Sequence, residues 1–200
     1  MLPSVRDQPP IGLRERKKAK TRAAIQSHAL RLFAEQGYAA TTVDQIADAA
    51  EVSQSTFFRY FPTKEDVVLH DRYDPLMLAA FAREPADLGP IAAMRRAMRS
   101  VFGSLSAHEI EQERMRGRLI LTEPELRARA LDRTVGALHE FGDALAARLG
   151  RPADAEIRNL TGAVFGVCMA AFVSAGDDPD ADYLQLIDDA LAHLEAGLPV

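Results

Sequence analysis

The stretch TVDQIADAAEVSQSTFFRYFPTK, from Thr42 to Lys64, predicts two short helices joined by a tight turn. Thr42 and Gln45 have the spacing of a capping box, so the first helix is expected to begin there. Glu51 to Ser53 is short enough to form the turn, and the Ser53 hydroxyl can cap the second helix. Two helices joined in this way form a helix-turn-helix, whose second helix contacts DNA.

The second helix carries polar and aromatic side chains on a face that we expect to be exposed. Phe57, Tyr60 and Phe61 can anchor this helix to its own domain. Gln and Arg side chains can each form paired hydrogen bonds with purine edges in the major groove, and Ser is small enough to let a helix approach a phosphate. The side chains predicted to point away from the domain are Gln54, Ser55, Phe58 and Arg59.

Two longer segments around these helices are similar to the DNA-binding domain of the TetR family of bacterial transcriptional regulators. They are AEQGYAATTVDQIA, from Ala34 to Ala47, and VSQSTFFRYFPTKED, from Val52 to Asp66. The resemblance implies an all-α homodimer with two domains, in which the second domain binds a small molecule and changes the spacing of the two DNA-reading domains. Release of a repressor by its ligand is the commonest outcome in such proteins, and activation stays open.

The resemblance also assigns roles to individual residues. Phe58 stands where Tyr is usual, so a hydroxyl contact with phosphate is lost, and Val43 stands where some members carry a base-reading Arg. Base readout is therefore expected from the second helix alone. The resemblance places Thr42, Phe58, Tyr60 and Lys64 near phosphates and Gln54, Ser55 and Arg59 near base edges, and the complete predicted DNA-binding set adds Lys17, Lys18, Lys20 and Ser53.

Charge is distributed unevenly along the chain. Residues 1–65 carry 10 Lys and Arg against 7 Asp and Glu, a net +3, whereas residues 66–200 carry 14 against 22, a net −8. The basic run LRERKKAKTR, from Leu13 to Arg22, opens a helix at the end where the macrodipole disfavours positive charge. Contact with phosphates explains such a run, and a solvated polar face is the alternative. The asymmetry suits a protein that presents one end to nucleic acid.

The length fits one large or two small domains, and the composition predicts no membrane segment. With 200 residues, 48% of them hydrophobic, the chain can bury a core. It has no uninterrupted apolar run long enough to span a bilayer, and its N-terminus lacks the apolar region of a secretion signal. The single cysteine, Cys168, agrees with a reducing cytoplasm. We expect a disordered tail at residues 1–12, the helix-turn-helix domain at 13–62, and a ligand-binding and dimerisation domain at 63–200.

The patterns indicate about nine helices in all, without strands. Gly37 is expected to end the first helix as a left-handed cap, and Pro75 to kink or split a helix running from Lys64 to Arg83. Thr122 and Asp180 are predicted to cap later helices. The helix that ends at Gly150 shows an apolar stripe formed by Leu131, Val135, Leu138, Leu145 and Leu149.

The last two helices predict a dimer interface. Residues 153–175 become apolar on nearly every side, and Gly162, Gly166 and Ala170 repeat at a spacing that lets another helix approach closely. Pairing with the same helices of a second copy would give a four-helix interface, and completion of the monomer core is the alternative. The predicted interface residues are Ile157, Val164, Phe165, Cys168, Phe172, Leu184, Ile187, Leu191 and Leu194.

The ligand pocket is less clearly marked. The candidate lining residues are Met94, Met98, Arg99, Phe102, Met115, Phe141, Phe165 and Met169, which could equally be plain core. They predict an apolar effector, and Arg95, Arg96 and Arg99 could add a contact for an anionic group. The segment RYFPTKEDVVLHDRYDP, from Arg59 to Pro75, resembles an actinobacterial branch that includes the mycofactocin-associated regulator, for which acyl-CoA ligands are known.

These observations predict a ligand-responsive DNA-binding regulator, a homodimeric repressor that a small molecule releases from a palindromic operator. His108 and His139 have no partners at metal spacing, so we expect no metal and no cofactor. The absence of a Gly-rich phosphate loop or a nucleophile beside a base predicts that the chain is not an enzyme. The alternatives are a DNA-binding architectural protein without a ligand and, less favoured, a helical enzyme.

Overall fold

The computed structural model describes residues 12–178 and 181–199, and the regular elements in these ranges are all α-helices. This confirms the predicted all-α fold. The expected tail at residues 1–12 lies outside the described residues except for Gly12. The helices are α1 Leu13–Gln36, α2 Val43–Ala49, α3 Gln54–Tyr60, α4 Lys64–Leu69, α5 Asp74–Arg83, α6 Pro90–Phe102, α7 Ala107–Thr122, α8 Pro124–Leu149, α9 Ala155–Asp177 and α10 Tyr183–Glu195.

The described residues divide into two compact units, one up to Val68 and one from Leu69 onward. In the first unit, α4 closes the core formed by α1 to α3, because the Gln26 amide donates a 2.9 Å hydrogen bond to the Val67 carbonyl. The predicted domain boundary after Pro62 stays a prediction. The buried core of this unit comprises Ile25, Ala29, Leu30, Phe33, Tyr38, Ile46, Ala47, Phe57, Phe61, Val67 and Val68.

Gly37 ends α1 as predicted, but in a different conformation. Its φ of 88° is positive and its ψ of 151° is extended, so it is not a left-handed helical cap. A side chain would strain this backbone, which accounts for glycine at this position. Immediately afterwards, the Tyr38 ring packs 5.1 Å from the Phe33 ring and anchors the chain to α1.

In the second unit, α8 and α9 form an antiparallel pair joined by the turn at Gly150, which ends α8 as predicted and is left-handed. The Phe141 and Phe165 rings lie 6.2 Å apart across this pair. The core that α5, α6, α8, α9 and α10 build includes Phe81, Ala93, Ala97, Met98, Phe141, Leu145, Ile157, Val164, Ile187 and Leu191.

The helix from Lys64 to Arg83, which Pro75 is predicted to kink or split, is split into α4 and α5. Pro75 lies in the first turn of α5, and the Asp71 carboxylate turns the chain just before it by accepting hydrogen bonds from the amides of Tyr73 and Asp74. Two other predicted helix features need correction. Thr122 does not cap α8. It is the last residue of α7, and its hydroxyl donates to the Arg118 carbonyl.

The start of α10 also differs from the prediction. Asp182 caps this helix by accepting from the amides of Leu184 and Gln185. Asp180, the predicted cap, lies outside the described residues.

The apolar stripe predicted on α8 is only partly buried. Leu131, Val135 and Leu149 are exposed, whereas Leu126, Phe141 and Leu145 are buried. The predicted stripe therefore included residues from two different faces of α8, one exposed and one buried. Only one of these faces contributes to the core of the same chain.

Candidate nucleic-acid interface and effector cavity

The helix-turn-helix has the caps that the sequence predicts. The Thr42 hydroxyl accepts a 3.3 Å hydrogen bond from the Gln45 amide, and the Gln45 side chain accepts a 2.9 Å hydrogen bond from the Thr42 amide. The Ser53 hydroxyl caps α3 by accepting from the Thr56 amide at 3.2 Å. In the turn between them, Glu51 has a φ of 53°, a left-handed conformation that is unusual for a residue with a side chain.

The recognition helix α3 has one buried and one exposed face. Phe57 and Phe61 are buried and Tyr60 is half-buried, so they hold α3 against the first unit. The side chains on the opposite face, Gln54, Ser55, Phe58 and Arg59, are exposed, as the sequence predicts. The Arg59 guanidinium donates to the Thr56 hydroxyl at 3.3 Å, which leaves most of its five N–H donors available.

A hydrogen bond that the sequence did not indicate orients Gln54. Its side-chain amide donates to the Asp44 carboxylate on α2. The second N–H and the carbonyl oxygen of the Gln54 amide remain available, and these are the groups that pair with the edge of adenine. Asp44 and Gln54 are ten residues apart, so only the folded helix pair brings them together.

The basic side chains predicted to bind phosphate differ in their surroundings. Lys17, Lys18 and Lys20 are exposed on the first turns of α1. Arg22 lies further along α1 with its guanidinium carbon 5.9 Å from the Tyr60 ring centroid. Because Tyr60 is the last residue of α3, this contact places the basic end of α1 beside the recognition helix.

Lys64 is engaged inside its own unit. Its ammonium donates to the carbonyls of Tyr38 at 2.9 Å and Thr41 at 3.1 Å, and it lies 4.2 Å from the Tyr38 ring centroid. Two of its three N–H donors are therefore satisfied by backbone. Lys64 therefore stabilises the fold of its unit, and its predicted contact with a phosphate stays a prediction.

The second unit contains a cavity of about 330 Å³. It lies among α5, α6, α7, α8, α9 and α10 and has a largely apolar lining. Five of the eight predicted pocket residues line it. These are Met94, Met98, Phe102, Phe141 and Phe165, and they are joined by Met77, Leu78, Leu105, Ile110, Cys168 and Phe172.

The other three predicted pocket residues lie elsewhere. Met169 is exposed on α9, and neither it nor Met115 lines the cavity. Arg99 lies outside it and donates to the Asp188 carboxylate at 3.0 Å.

The neighbouring arginines are similarly engaged. Arg95 pairs with Asp188 and Glu195, and Arg96 pairs with Glu84 at 2.9 Å. These arginines lie outside the cavity, and their carboxylate partners argue against the suggested contact with an anionic ligand there.

The cavity has a polar wall that the sequence analysis missed. Arg116 is part of this wall and forms ion pairs with Asp71 at 2.7 Å and Glu113 at 2.8 Å. Desolvation by the surrounding protein, together with the nearby Asp71 carboxylate, raises the pKa of Asp74 to about 6. Desolvation also raises the pKa of Glu113 above its ordinary value. The charged residues in the lining are Asp71, Asp74, Glu113, Arg114, Arg116, Glu140 and Asp182.

A sequence signal for part of this wall existed. Asp71, Tyr73 and Asp74 stand in HDRYDP, directly after the recognised DNA-binding segment, where carboxylates interrupt a helical pattern. Arg116 and Glu113 gave no comparable signal, because charged residues three positions apart are common on exposed helix faces.

Cys168 lines the cavity as a thiol. Burial raises its pKa to about 11, so the reactive thiolate is not populated near neutral pH. Among the described residues, no group of three or more His, Cys, Asp and Glu side chains has a metal-binding arrangement. The cavity therefore offers binding surface and charge to a ligand.

The predicted dimer residues face the inside of the chain. Ile157, Ile187 and Leu191 are buried in the core of the second unit, and Leu194 packs against that core. The remaining predicted residues, Val164, Phe165, Cys168, Phe172 and Leu184, line the cavity.

The face of α9 that stays exposed is a different one. Gly162, Gly166 and Ala170 lie on it beside Met169 and Val173, which are 42% and 48% exposed. The segment Ala155–Gly176, with a mean hydropathy of 1.5, is long and apolar enough to cross a membrane by length and composition alone, and the prediction of no membrane segment stays a prediction. Only 17% of its most apolar window is buried within the chain, so this helix has apolar surface left to cover.

Comparisons with known proteins fit this architecture. Residues 25–70 match the family described as bacterial regulatory proteins of the tetR family, and residues 88–199 match the MftR C-terminal domain. The fold and the exposed recognition helix define a helix-turn-helix DNA-binding regulator. Because the second match alone covers more than half of the chain, the protein belongs to the TetR family. It is a ligand-responsive DNA-binding transcriptional regulator of that family.

Individual relatives support the same assignment. TcmR of Streptomyces glaucescens is 42% identical over 142 residues, which are 70% of this chain and 60% of TcmR. MftR of Mycobacterium tuberculosis, described as a mycofactocin biosynthesis transcriptional regulator, is 26% identical over 187 residues, which cover 92% of this chain and 93% of MftR.

Solved structures agree on the fold. FadR of Thermus thermophilus, a TetR-family repressor solved in complex with lauroyl-CoA, aligns with a TM-score of 0.53 and 25% identity over 90% of this chain and 95% of FadR. A TetR-family regulator from Syntrophomonas wolfei aligns with a TM-score of 0.66 and 18% identity over 91% of this chain and 98% of its own.

Proposed function

We propose that the protein is a homodimeric repressor that leaves a palindromic operator when a small molecule occupies the cavity of the second unit. The observation that carries this proposal is the exposed polar face of α3 in a chain that also contains a ligand-sized apolar cavity. A ligand weakens operator binding only by its differential affinity for the conformation that does not bind DNA. A ligand in the cavity contacts several helices of the second unit, so its affinity can differ between two arrangements of those helices.

In this proposal, Gln54, Ser55 and Arg59 read base edges, and Lys17, Lys18 and Lys20 neutralise phosphates. The exposed position of all six side chains supports these roles. Thr42 and Ser53 use their hydroxyls to cap helices, and the ends of those helices present backbone N–H groups that suit phosphate contacts. Phe58, 48% exposed, supplies an apolar contact for the DNA backbone.

The dimer would form through the exposed glycine-containing face of α9, formed by Gly162, Gly166, Met169, Ala170 and Val173. A Cβ added at Gly162 or Gly166 would meet no atom of the chain within 4 Å, so this face is open to a close helix contact. Leu131 and Val135 on α8 add exposed apolar surface. Gly142 on α8 lies beside Thr161 on α9, and the two helices run antiparallel. Counting along both helices from this contact, Val135 lies opposite Cys168. Leu131 lies at nearly the same position along the helix axes as Met169 and Val173.

A dimer places two recognition helices on successive major-groove faces. Half-sites are therefore expected about one helical turn, ~34 Å, apart or at a multiple of that spacing. We further propose that the protein acts in the cytoplasm, as regulators of this kind do, and that it catalyses no reaction. The cavity supports this view, because its cysteine is held as an unreactive thiol.

Quantitative DNA binding tests this proposal. The full chain should bind a palindrome from the promoter region of its own gene at least about a hundredfold more tightly than random duplex. Removal of residues 1–20 should lower the affinity and the salt dependence only in part, because base contacts remain. Loss of nearly all binding after this deletion, with equal affinity for any sequence, would instead show an architectural DNA-binding protein.

A further inference from the structure

The cavity combines an aromatic interior with an acidic wall. Four phenylalanine rings line it, and the Phe172 ring lies 5.8 Å from the ring of Tyr183, which also lines it. Aromatic faces carry negative electrostatic potential, so they favour flat apolar molecules and attract cations. A volume of about 330 Å³ is at the lower end of small-molecule sites and suits a compact ligand.

The charges that line the cavity do not balance. Five carboxylates, Asp71, Asp74, Glu113, Glu140 and Asp182, face two guanidinium groups, Arg114 and Arg116. Both guanidinium groups are engaged. Arg116 is held between two carboxylates, and Arg114 donates to the Ala181 carbonyl at 2.9 Å. Arg114 keeps further N–H donors, so it is the excess of carboxylates in the lining that disfavours an anion.

Two carboxylates in the lining have no protein partner. Asp74 and Glu140 are exposed to solvent, and their side-chain oxygens form no hydrogen bond or ion pair within the described residues. Around Asp74, the charged groups on the packed elements are Asp71, Glu113, Glu140 and Arg116, so negative charge predominates.

The Tyr183 side chain is a second indication of a ligand, because it is half-buried and lines the cavity. Tyr183 lines the cavity, and burial raises the pKa of its phenol well above the ordinary value. Its hydroxyl forms no hydrogen bond within the described part of the chain. A phenol hydroxyl that is not bonded to the protein is free to donate to, or accept from, a molecule in the cavity. A ligand in the cavity would supply a partner for it.

We propose that the effector is a compact aromatic molecule with a positively charged nitrogen, which Asp74 and Glu140 bind while the phenylalanine rings enclose its apolar part. The inference rests on the proposed function, because it names the chemistry of the molecule that would occupy the same cavity. It also separates this protein from FadR of Thermus thermophilus, whose lauroyl-CoA is an anion.

Three fluorescent probes with the same fused three-ring framework test the proposal. At pH 8, 9-aminoacridine is a cation, 9-anthracenemethanol is neutral and 9-anthracenecarboxylate is an anion. The chain contains no tryptophan, so probe fluorescence can be followed with little protein background. We expect the cation to bind the full chain at least about tenfold more tightly than the neutral probe, and the anion to bind most weakly.

Two variants identify the groups responsible. The double variant Asp74→Asn with Glu140→Gln should remove the preference for the cation and leave the affinity for the neutral probe within about twofold. Asp143→Asn removes a carboxylate from the same helix as Glu140 but outside the cavity, and it should change neither affinity. Tyr183→Phe should weaken 9-anthracenemethanol, whose hydroxyl can bond the phenol, by a few-fold.

The contrary results are distinct. Equal or tighter binding of the anion, or an unchanged cation preference in the double variant, would overturn the proposed charge of the ligand. Binding of no probe would also overturn it. Operator binding by the same preparation would show that the DNA-binding role survives that failure.

Discussion

Gln54, the first residue of the recognition helix, donates a hydrogen bond to the carboxylate of Asp44 on the preceding helix. This contact restricts the rotation of the Gln54 amide before DNA is present. A preorganised amide loses less conformational freedom when it pairs with a base. Asp44 thus contributes to sequence preference without having to touch DNA.

The first prediction follows from this contact. Asp44→Ala should lower the ratio of operator to random-duplex affinity by up to about tenfold. The Gln54 amide becomes mobile, which weakens its pairing with a base in the operator. Loss of the carboxylate also removes repulsion from phosphates, which favours binding to any duplex. Competition binding with fluorescent operator measures this ratio. Asp48→Ala, an exposed carboxylate on the same helix, is the matched control and should leave the ratio unchanged.

The second prediction concerns Arg59. Arg59→Ala should lower operator affinity by on the order of 1–3 kcal/mol and broaden the sequences that are accepted, since paired hydrogen bonds to a guanine are lost. Arg31→Ala, an exposed arginine on α1 paired with Glu35, is the control. An unchanged gel-shift titration for Arg59→Ala would show that this side chain does not read a base.

The third prediction separates two lysines. Lys64→Met should lower the free energy of unfolding by about 1–3 kcal/mol, because the carbonyls of Tyr38 and Thr41 lose their donor. Lys20→Met should leave stability unchanged and reduce the slope of log affinity against log salt by about 1. Chemical denaturation and salt titrations distinguish the two effects. Equal stability of both variants would restore a phosphate role for Lys64.

The fourth prediction tests the exposed face of α9. Gly166→Trp should convert a dimer to a monomer and abolish tight operator binding, while each chain stays folded because the added side chain meets open space. Sedimentation velocity at micromolar concentration measures the assembly state. His193→Trp, at an exposed site on α10, should leave it unchanged. A dimer that persists in Gly166→Trp would place the interface elsewhere.

The fifth prediction concerns pH. The pKa of Asp74 is about 6 in the folded chain against an ordinary value of 3.8, so protonation of Asp74 stabilises the fold at low pH, and this stabilisation is lost as the pH rises through 6. Asparagine mimics the protonated form. Asp74→Asn should therefore be more stable than the parent chain at pH 8, by about 1 kcal/mol after allowance for solvent screening. Thermal unfolding should show this advantage disappear towards pH 4.

The helix-turn-helix was accessible from sequence because its signals are local. The Thr42 capping box, the Ser53 cap and the alternation of buried and exposed positions on α3 each involve residues within a few positions of one another. The same reasoning failed for α9, where apolar residues surround the helix and periodicity cannot tell an inward face from an outward one. The predicted interface residues consequently belong to the core or the cavity wall.

The amino-acid sequence by itself determined the all-α fold, the position of the recognition helix and the basic character of the end that carries it. These depend on helix periodicity, caps and net charge, which are properties of neighbouring residues. Only the tertiary structure decided that Lys64 binds carbonyls, that Asp44 holds Gln54, and that Asp74 and Glu140 share a cavity. Such pairs join different elements of the fold, so their contacts depend on how those elements pack against one another.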